Sequence, residues 1–316
     1  MLVTADQGLL VVDGDRVAAP ARRRWLAAAQ PYLYVLPAVV GVAVWIYLPI
    51  AQTARLSLYE WNLLPTTPQV PVGLDNYRDV VELPQMRTAL WNTAKYTLGL
   101  LPFSVVIPLG IALLLADLGG RMRSVYRVFV FLPVLMAPVV VGVVWRWMLH
   151  PTNGIVNRGL ELVGISGPNW FRDEHLALWT ITGITGWKLI GFSTLIFAAG
   201  IAGLDQDAHD AARIDGATRW QVVRRVTLPL LSPTVLFMVL LTVLLSAQWT
   251  FPLINVLTDG GPLNSTTNVY HLLWKFGFRN FDVGFSSAAA VLFFAAFGAL
   301  ALGCVRLLDR FSFYDS

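Results

Sequence analysis

Lys188 interrupts an otherwise uncharged apolar run, Leu176–Leu204. A charge at membrane depth is expensive, so an ionisable side chain there is a functional candidate by default. Trp187 precedes it, and Ser193 and Thr194 follow within about two helical turns. A second apolar run, Val226–Thr258, carries Gln248, Trp249, Thr250 and Asn255. Aromatic rings cover the apolar faces of a sugar while amides hydrogen-bond its hydroxyls. Trp187, Lys188, Gln248, Trp249 and Asn255 therefore form a candidate solute pathway. Hydrogen bonding between helices is the competing reading of the same residues. Lys188 and Arg146 together also suit an anionic solute such as a glycerol phosphate ester, and the residues leave neutral and anionic solutes both open.

Other chemistries find no residues to run on. His150, His175, His209 and His271 are scattered through expected loops, none in an HExxH arrangement, and ordinary polar surface is the expectation for each. The lone cysteine, Cys304, excludes an internal disulfide and a cysteine-based zinc site, and reads as a small buried hydrophobe. No carboxylate falls inside an apolar run, which argues against a proton relay and against a membrane aspartyl protease, which needs paired acids. No GxxxxGK phosphate loop is present, so any nucleotide-driven energy must come from another protein. The cations and aromatics do not form a nucleic-acid face.

The elements that must hold these residues are membrane spans. The 316 residues are 56% hydrophobic and only 13% charged, against about 25% charged in a soluble domain. Six runs reach the roughly 18–20 apolar residues that cross a bilayer core: Pro31–Ala54, Leu98–Ala116, Val128–Trp145, Leu176–Leu204, Val226–Thr258 and Val283–Val305. Prolines within them predict kinks. The expected fold class is an all-α membrane protein with six transmembrane helices. Residues 1–30 form an N-terminal tail rather than a cleavable signal, 31–310 the membrane domain, and 311–316 a short C-terminal tail. Arginines at 16, 22–24, 121, 123, 127, 213, 219, 224, 225, 306 and 310 outnumber the cations on the opposite side. The positive-inside bias puts both termini and the loop after the fourth run in the cytosol. Residues 56–90 read as an irregular cap, and 150–175 and 259–282 as outer loops with turn signals at Asn153-Gly154, Gly167-Pro168 and Gly260-Gly261-Pro262. In the last run, Ala295, Ala299 and Gly303 make a small-residue stripe that lets another helix approach closely.

The loop of about 203–229 is built in a definite order. Asp205 and Asp207 favour a helix start, and Ala208, Ala211, Ala212 and Ile214 continue it. Gly216 closes it in a left-handed cap. Thr218 and Gln221 then fit a capping box, and Pro229 and Pro233 mark the return to the bilayer. Such a helix, standing between two spans, is suited to docking a soluble partner.

This pattern resembles the EAA loop of bacterial ABC importer permeases, with Asp210, Ala211, Ala212, Gly216, Val226, Leu228 and Pro229 at the motif positions and Asp210 in place of the usual Glu. Gly260-Gly261-Pro262 with Thr266-Thr267, then Gly284 to Ala288, and Trp145-Arg146-Trp147 leading to Pro151, Gly154 and Asn157 are similar to the carbohydrate-uptake (maltose-type and glycerol-3-phosphate-type) branch. The resemblance implies a non-catalytic permease in the bacterial inner membrane. Asp210, Ala211, Ala212, Asp215, Gly216, Ala217, Leu228 and Pro229 would contact a cytosolic ABC ATPase dimer that holds ATP and Mg; no cofactor is implied in this chain. A second homologous permease and an extracellular or lipid-anchored solute-binding protein would complete the importer. The rival reading is a stand-alone secondary transporter for a small polar solute.

Overall fold

The computed structural model describes residues 21–116 and 120–311. The N-terminal tail to residue 20 and the last five residues lie outside them. Two compact units divide at Gln52 and Thr53. The first contains the helix Ala21–Val42, which passes through a π-helical turn, Ala43–Tyr47, into Leu48–Leu56.

Among the described residues, five helices are long and apolar enough to cross a membrane: Pro31–Leu56, Pro84–Ala116, Ala177–Ala202, Ser232–Leu257 and Val283–Arg306. The expected span Val128–Trp145, with a kink predicted from its prolines, is a pair of helices, Val128–Leu135 and Pro138–Met148, bent by 102°. The cause is local. Pro138 occupies the first helical position, and Ala137 before it is held extended, with φ −59° and ψ 137°; a residue preceding proline is driven out of the α region. Proline also explains three of the four π-helical turns. Ala43–Tyr47, Pro102–Val106 and Val223–Thr227 each end two residues before a proline, at Pro49, Pro108 and Pro229. A ring that cannot donate and that crowds the carbonyl of the preceding turn is accommodated by one wider turn.

The second span begins at Pro84, well before the expected Leu98, because Lys95 does not end it. The Lys95 ammonium folds back over the Trp91 ring, 5.8 Å from its centroid, which carries the charge toward the helix start while the stem stays apolar. The expected irregular cap over 56–90 is ordered. Tyr59–Glu60 pairs antiparallel with Val70–Pro71, and helix Asp75–Glu82 follows. Buried Asn76 ties them by donating to the carbonyls of Ser57 and Tyr59 at 2.9 and 3.1 Å.

Helix Ala177–Ala202 is central, packing against Pro84–Ala116, Gly120–Leu135 and Ser232–Leu257. Gly191 makes the second of these contacts possible: a Cβ there would stand 2.4 Å from the Val130 carbonyl oxygen and 2.9 Å from the Phe131 Cα. Hydroxyls join the second and fifth spans, Thr97 to Ser246 at 2.6 Å and Thr242 to Ser104 at 2.8 Å. The chain after Leu257 folds back onto this core. Asn92 donates to the carbonyls of Asn264 and Thr267, both at 3.0 Å, and the Tyr96 hydroxyl to that of Thr266 at 3.1 Å. Asn268, fully buried, donates to the Ala247 carbonyl at 2.8 Å and the Thr250 hydroxyl at 2.9 Å, and caps the helix Val269–Trp274. Ala295, Ala299 and Gly303 are exposed within their unit. Cys304 is half-buried rather than buried.

Candidate functional site

Two assemblies matter, and they lie on the same pair of helices. The first is the loop that leaves helix Ala177–Ala202 and enters Ser232–Leu257. Asp205 is its N-cap, with its carboxylate accepting from the Asp207 amide at 3.0 Å, and helix Gln206–Ile214 follows. Gly216 closes this helix with φ +73°. Its amide donates to the Arg213 carbonyl at 3.1 Å and that of Ala217 to the Ala212 carbonyl at 3.0 Å, the double bond pattern of a Schellman cap. The capping box forms: the Gln221 amide donates to the Thr218 hydroxyl, and the Gln221 side chain accepts from the Thr218 amide at 2.7 Å. The ends of the two short helices are thereby capped from within the segment, which fixes their local geometry.

His209 binds the two helices together, contrary to its expected role as plain polar surface. Its Nδ1 lies 3.1 Å from the Asp205 carbonyl and its Nε2 3.1 Å from the Thr227 hydroxyl. A carbonyl only accepts, so Nδ1 carries the proton and Nε2 accepts from Thr227, which is buried. Asp210, Ala211, Asp215, Gly216 and Pro229 are exposed, while Ala212, Ala217 and Leu228 are half-buried. The Asp210–Arg213 pair, 3.8 Å apart and open to solvent, contributes little. Two residues outside the motif are informative: Ile214 is 86% and Trp220 68% exposed, on either side of Gly216. Their apolar character was visible in the sequence, their exposure was not.

The second assembly is a cavity of about 440 Å³ between helices Ala177–Ala202 and Ser232–Leu257, with Lys188, Gln248 and Trp249 in its wall. The structure brings these three expected residues together. It adds Thr185, Phe251 and Tyr270. Thr185 precedes Lys188 by three residues and Phe251 follows Gln248 by three, the spacing of one helix face; Tyr270 comes from the far side of the returning loop and no local pattern announces it. The Thr185 hydroxyl is buried with no hydrogen-bond partner. The wall thus offers a cation, an amide and a free hydroxyl beside aromatic rings.

Trp187 and Asn255 do not join this wall. Trp187 packs edge-on against Trp145, with centroids 5.8 Å apart, at the margin of the core formed by Tyr96, Ile181 and Leu253. The Asn255 side-chain oxygen, Oδ1, is buried without a partner. Ser193 and Thr194 are buried too, with Thr194 bonded back to the Ile190 carbonyl at 2.7 Å. Arg146 donates to the Val256 carbonyl, so it secures the end of the fifth span.

His271 is the other departure from expectation, fully buried with Nε2 3.4 Å from Asp259 Oδ1. Asp259 Oδ2 accepts from Arg279 at 2.5 Å, and the guanidinium lies 4.8 Å from the centre of the Trp274 ring. Burial pushes the imidazole below its ordinary range, helped by the charges of Lys275 and Arg279 and opposed by Asp259. Desolvation raises the Asp259 carboxyl, but its bonds to Arg279 and His271 and their charges hold it below the usual value. Among the described residues, no group of three His, Cys, Asp or Glu side chains is placed to hold a metal.

A broken span and a polar cavity between two others, which a self-capped loop helix joins, suit the membrane subunit of a transport machine. The chain belongs to the family of binding-protein-dependent transport system inner membrane components, which matches residues 107–313. It is 32% identical over 277 residues to the trehalose/maltose transport system permease protein MalF of Thermococcus litoralis, covering 87% of this chain and 92% of that one. It is 30% identical over 284 residues to the sulfoquinovosyl glycerol transport system permease protein SmoG of Agrobacterium fabrum, covering 89% and 92%. It is 26% identical over 289 residues to the sn-glycerol-3-phosphate transport system permease protein UgpA of Pectobacterium atrosepticum, covering 92% and 96%. The fold matches a bacterial ABC transporter involved in the import of the acidic polysaccharide alginate, with a TM-score of 0.79 at 22% identity over 92% of this chain and 96% of the other.

Proposed function

We propose that this chain is one permease half of an ATP-driven, binding-protein-dependent importer for a sugar, an oligosaccharide or a glycerol-phosphate-type solute. It is multi-pass in the inner membrane with both termini cytosolic, and pairs with a second, homologous permease. A solute-binding protein outside delivers the cargo. ATP and Mg belong to a separate ATPase dimer, and this chain catalyses nothing. The observation that carries the coupling is the exposure of Ile214 and Trp220 on a segment whose own ends are already capped. Rigid apolar groups facing water beside Asp210–Ala217 suit a groove in a partner. The Leu228-Pro229 stretch passes the displacement to the fifth span, and hence to Gln248 and Trp249.

Within the 440 Å³ cavity, the Trp249, Phe251 and Tyr270 rings cover the apolar faces of a polyol. Gln248 and Thr185 meet its hydroxyls, and Lys188 its oxygen atoms or an anionic group. The test is solute uptake against ATP hydrolysis for Lys188→Ala and Gln248→Ala. Uptake is expected to fall tenfold or more with hydrolysis retained. Unchanged uptake and unchanged solute preference in both variants would remove the pathway from this wall.

A further inference from the structure

A larger cavity, about 1050 Å³, opens at the end of helix Ala177–Ala202 remote from the coupling loop. It has no place in the pathway described above. One wall is the first three turns of helix Pro84–Ala116, where Arg87, Trp91 and Lys95 stand at i, i+4 and i+8, a single stripe. Opposite are Glu174, His175 and Trp179, and Ser265 closes the site from the returning loop.

The charges in this cavity are unmatched. Among the described residues no carboxylate lies within 4.0 Å of Arg87 or Lys95, and no cation within 4.0 Å of Glu174. Arg87 and Lys95 are about 12 Å apart along the helix axis at 1.5 Å per residue. The Lys95 ammonium nevertheless stands at the Trp91 ring, about one turn nearer Arg87 than the Lys95 backbone. The Ser265 hydroxyl is buried with no hydrogen-bond partner. Trp91 and Trp179 are 64% and 51% exposed. The volume is at the upper end of ordinary ligand sites and exceeds what a bare inorganic ion needs.

We infer that this cavity is a binding site for a glycerol phosphate ester. Arg87 and Lys95 take the phosphate by charge-assisted hydrogen bonds. Ser265 meets a glycerol oxygen, and the indole rings of Trp91 and Trp179 flank the carbon skeleton. Glu174 either holds the ammonium of an ethanolamine substituent or repels an unsubstituted phosphate. The ester can arrive as a phospholipid headgroup, for which tryptophans at this depth are usual neighbours, or as a free polyol phosphate in solution. Both sources present the same group to the same residues, and the inference does not require that the chain transport anything.

The experiment uses the full chain in detergent micelles. One arm counts phospholipid retained through purification by native mass spectrometry, after incubation with vesicles of phosphatidylethanolamine and phosphatidylglycerol. The other measures equilibrium binding of glycerol 3-phosphate, with glycerol as the control. In Arg87→Gln/Lys95→Gln, a tenfold or greater loss of the retained phospholipid assigns the lipid source. A tenfold or greater weakening of glycerol 3-phosphate binding assigns the soluble source. Glu174→Gln is read on its own, so the question survives if the double variant does not fold. It should tighten glycerol 3-phosphate binding severalfold or, for the lipid source, reduce preference for phosphatidylethanolamine over phosphatidylglycerol. The inference is overturned if the wild-type chain retains no phospholipid and binds no glycerol 3-phosphate. It is equally overturned if both variants match the wild type in both arms.

Discussion

Gly216 offers the sharpest perturbation of the proposed coupling loop. It holds φ at +73°, and a Cβ built on it meets nothing within 4 Å. A side chain there is therefore penalised by the backbone alone, with no clash to confuse the result. The left-handed region costs an ordinary L-residue about 1–2 kcal/mol, and valine, stiff at χ1, falls at the upper end or above it. If the chain escapes that strain by rotating out, it gives up the two cap hydrogen bonds at 3.0 and 3.1 Å, each worth about 0.5–1.5 kcal/mol. The cost falls on a nine-residue helix, Gln206–Ile214, far too short to be stable in isolation. A loss of about 2 kcal/mol shifts its local equilibrium roughly thirtyfold while the bundle is untouched. Gly216→Val should thus cut uptake in membrane vesicles at least tenfold, with normal membrane insertion and an unchanged melting temperature in detergent. Gly216→Asn, which tolerates the left-handed region, should keep most of the activity. If the valine and asparagine variants transport equally well, the cap is not what couples the loop to the spans.

Three further outcomes follow from the geometry. Asn268→Leu leaves the buried His271 amide without its acceptor, at about 1–3 kcal/mol for the stranded group, and removes the ties to the Ala247 carbonyl and the Thr250 hydroxyl; the melting temperature should drop by several degrees, and an unchanged melt would contradict the assigned network. The pKa of His271 is lowered from 6.5 in the folded chain, so below pH 6.5 the unfolded state takes up the proton first. Its contribution to stability is complete above that value and is lost as pH falls through the folded pKa; melts from pH 7.5 to 5 should show this slope and His271→Gln should flatten it, whereas equal slopes in both proteins would refute the assignment. His209→Ala removes the tie between the Asp205 carbonyl and Thr227 and should reduce uptake severalfold without altering the melt, an expectation that wild-type uptake in the variant would defeat.

What the sequence revealed depended on how far each signal had to reach. The Asp205 cap, the Gly216 terminus and the Thr218–Gln221 box were legible because every partner lies within a few residues, where capping chemistry fixes geometry unaided. The prolines announced a kink in the run Val128–Trp145, but not its size or its place at Ala137–Pro138, since apolar composition reports depth in the bilayer and not the direction of the axis. Lys188, Gln248 and Trp249 were recognisable by type because polar groups are costly in spans. Trp187 and Asn255 shared those types but not the cavity, because rotation of the helix about its axis is set by packing, as at Gly191 against the Val130 carbonyl. His271 was misread for a related reason. Its partners Asp259 and Arg279 arrive through a returning loop whose burial depends on Asn92, Tyr96 and Asn268, and two of those three lie more than 150 residues earlier in the chain. The same distinction separates the two assemblies. The loop segment takes its caps from residues close by in sequence. The cavity exists only where two spans, Pro138 and a returning loop meet, so on the proposed coupling a displaced loop reaches it through the fifth span. Thr227 is where this becomes concrete: it holds His209 on one side and, two residues later, Pro229 begins the path into the helix that carries Gln248 and Trp249.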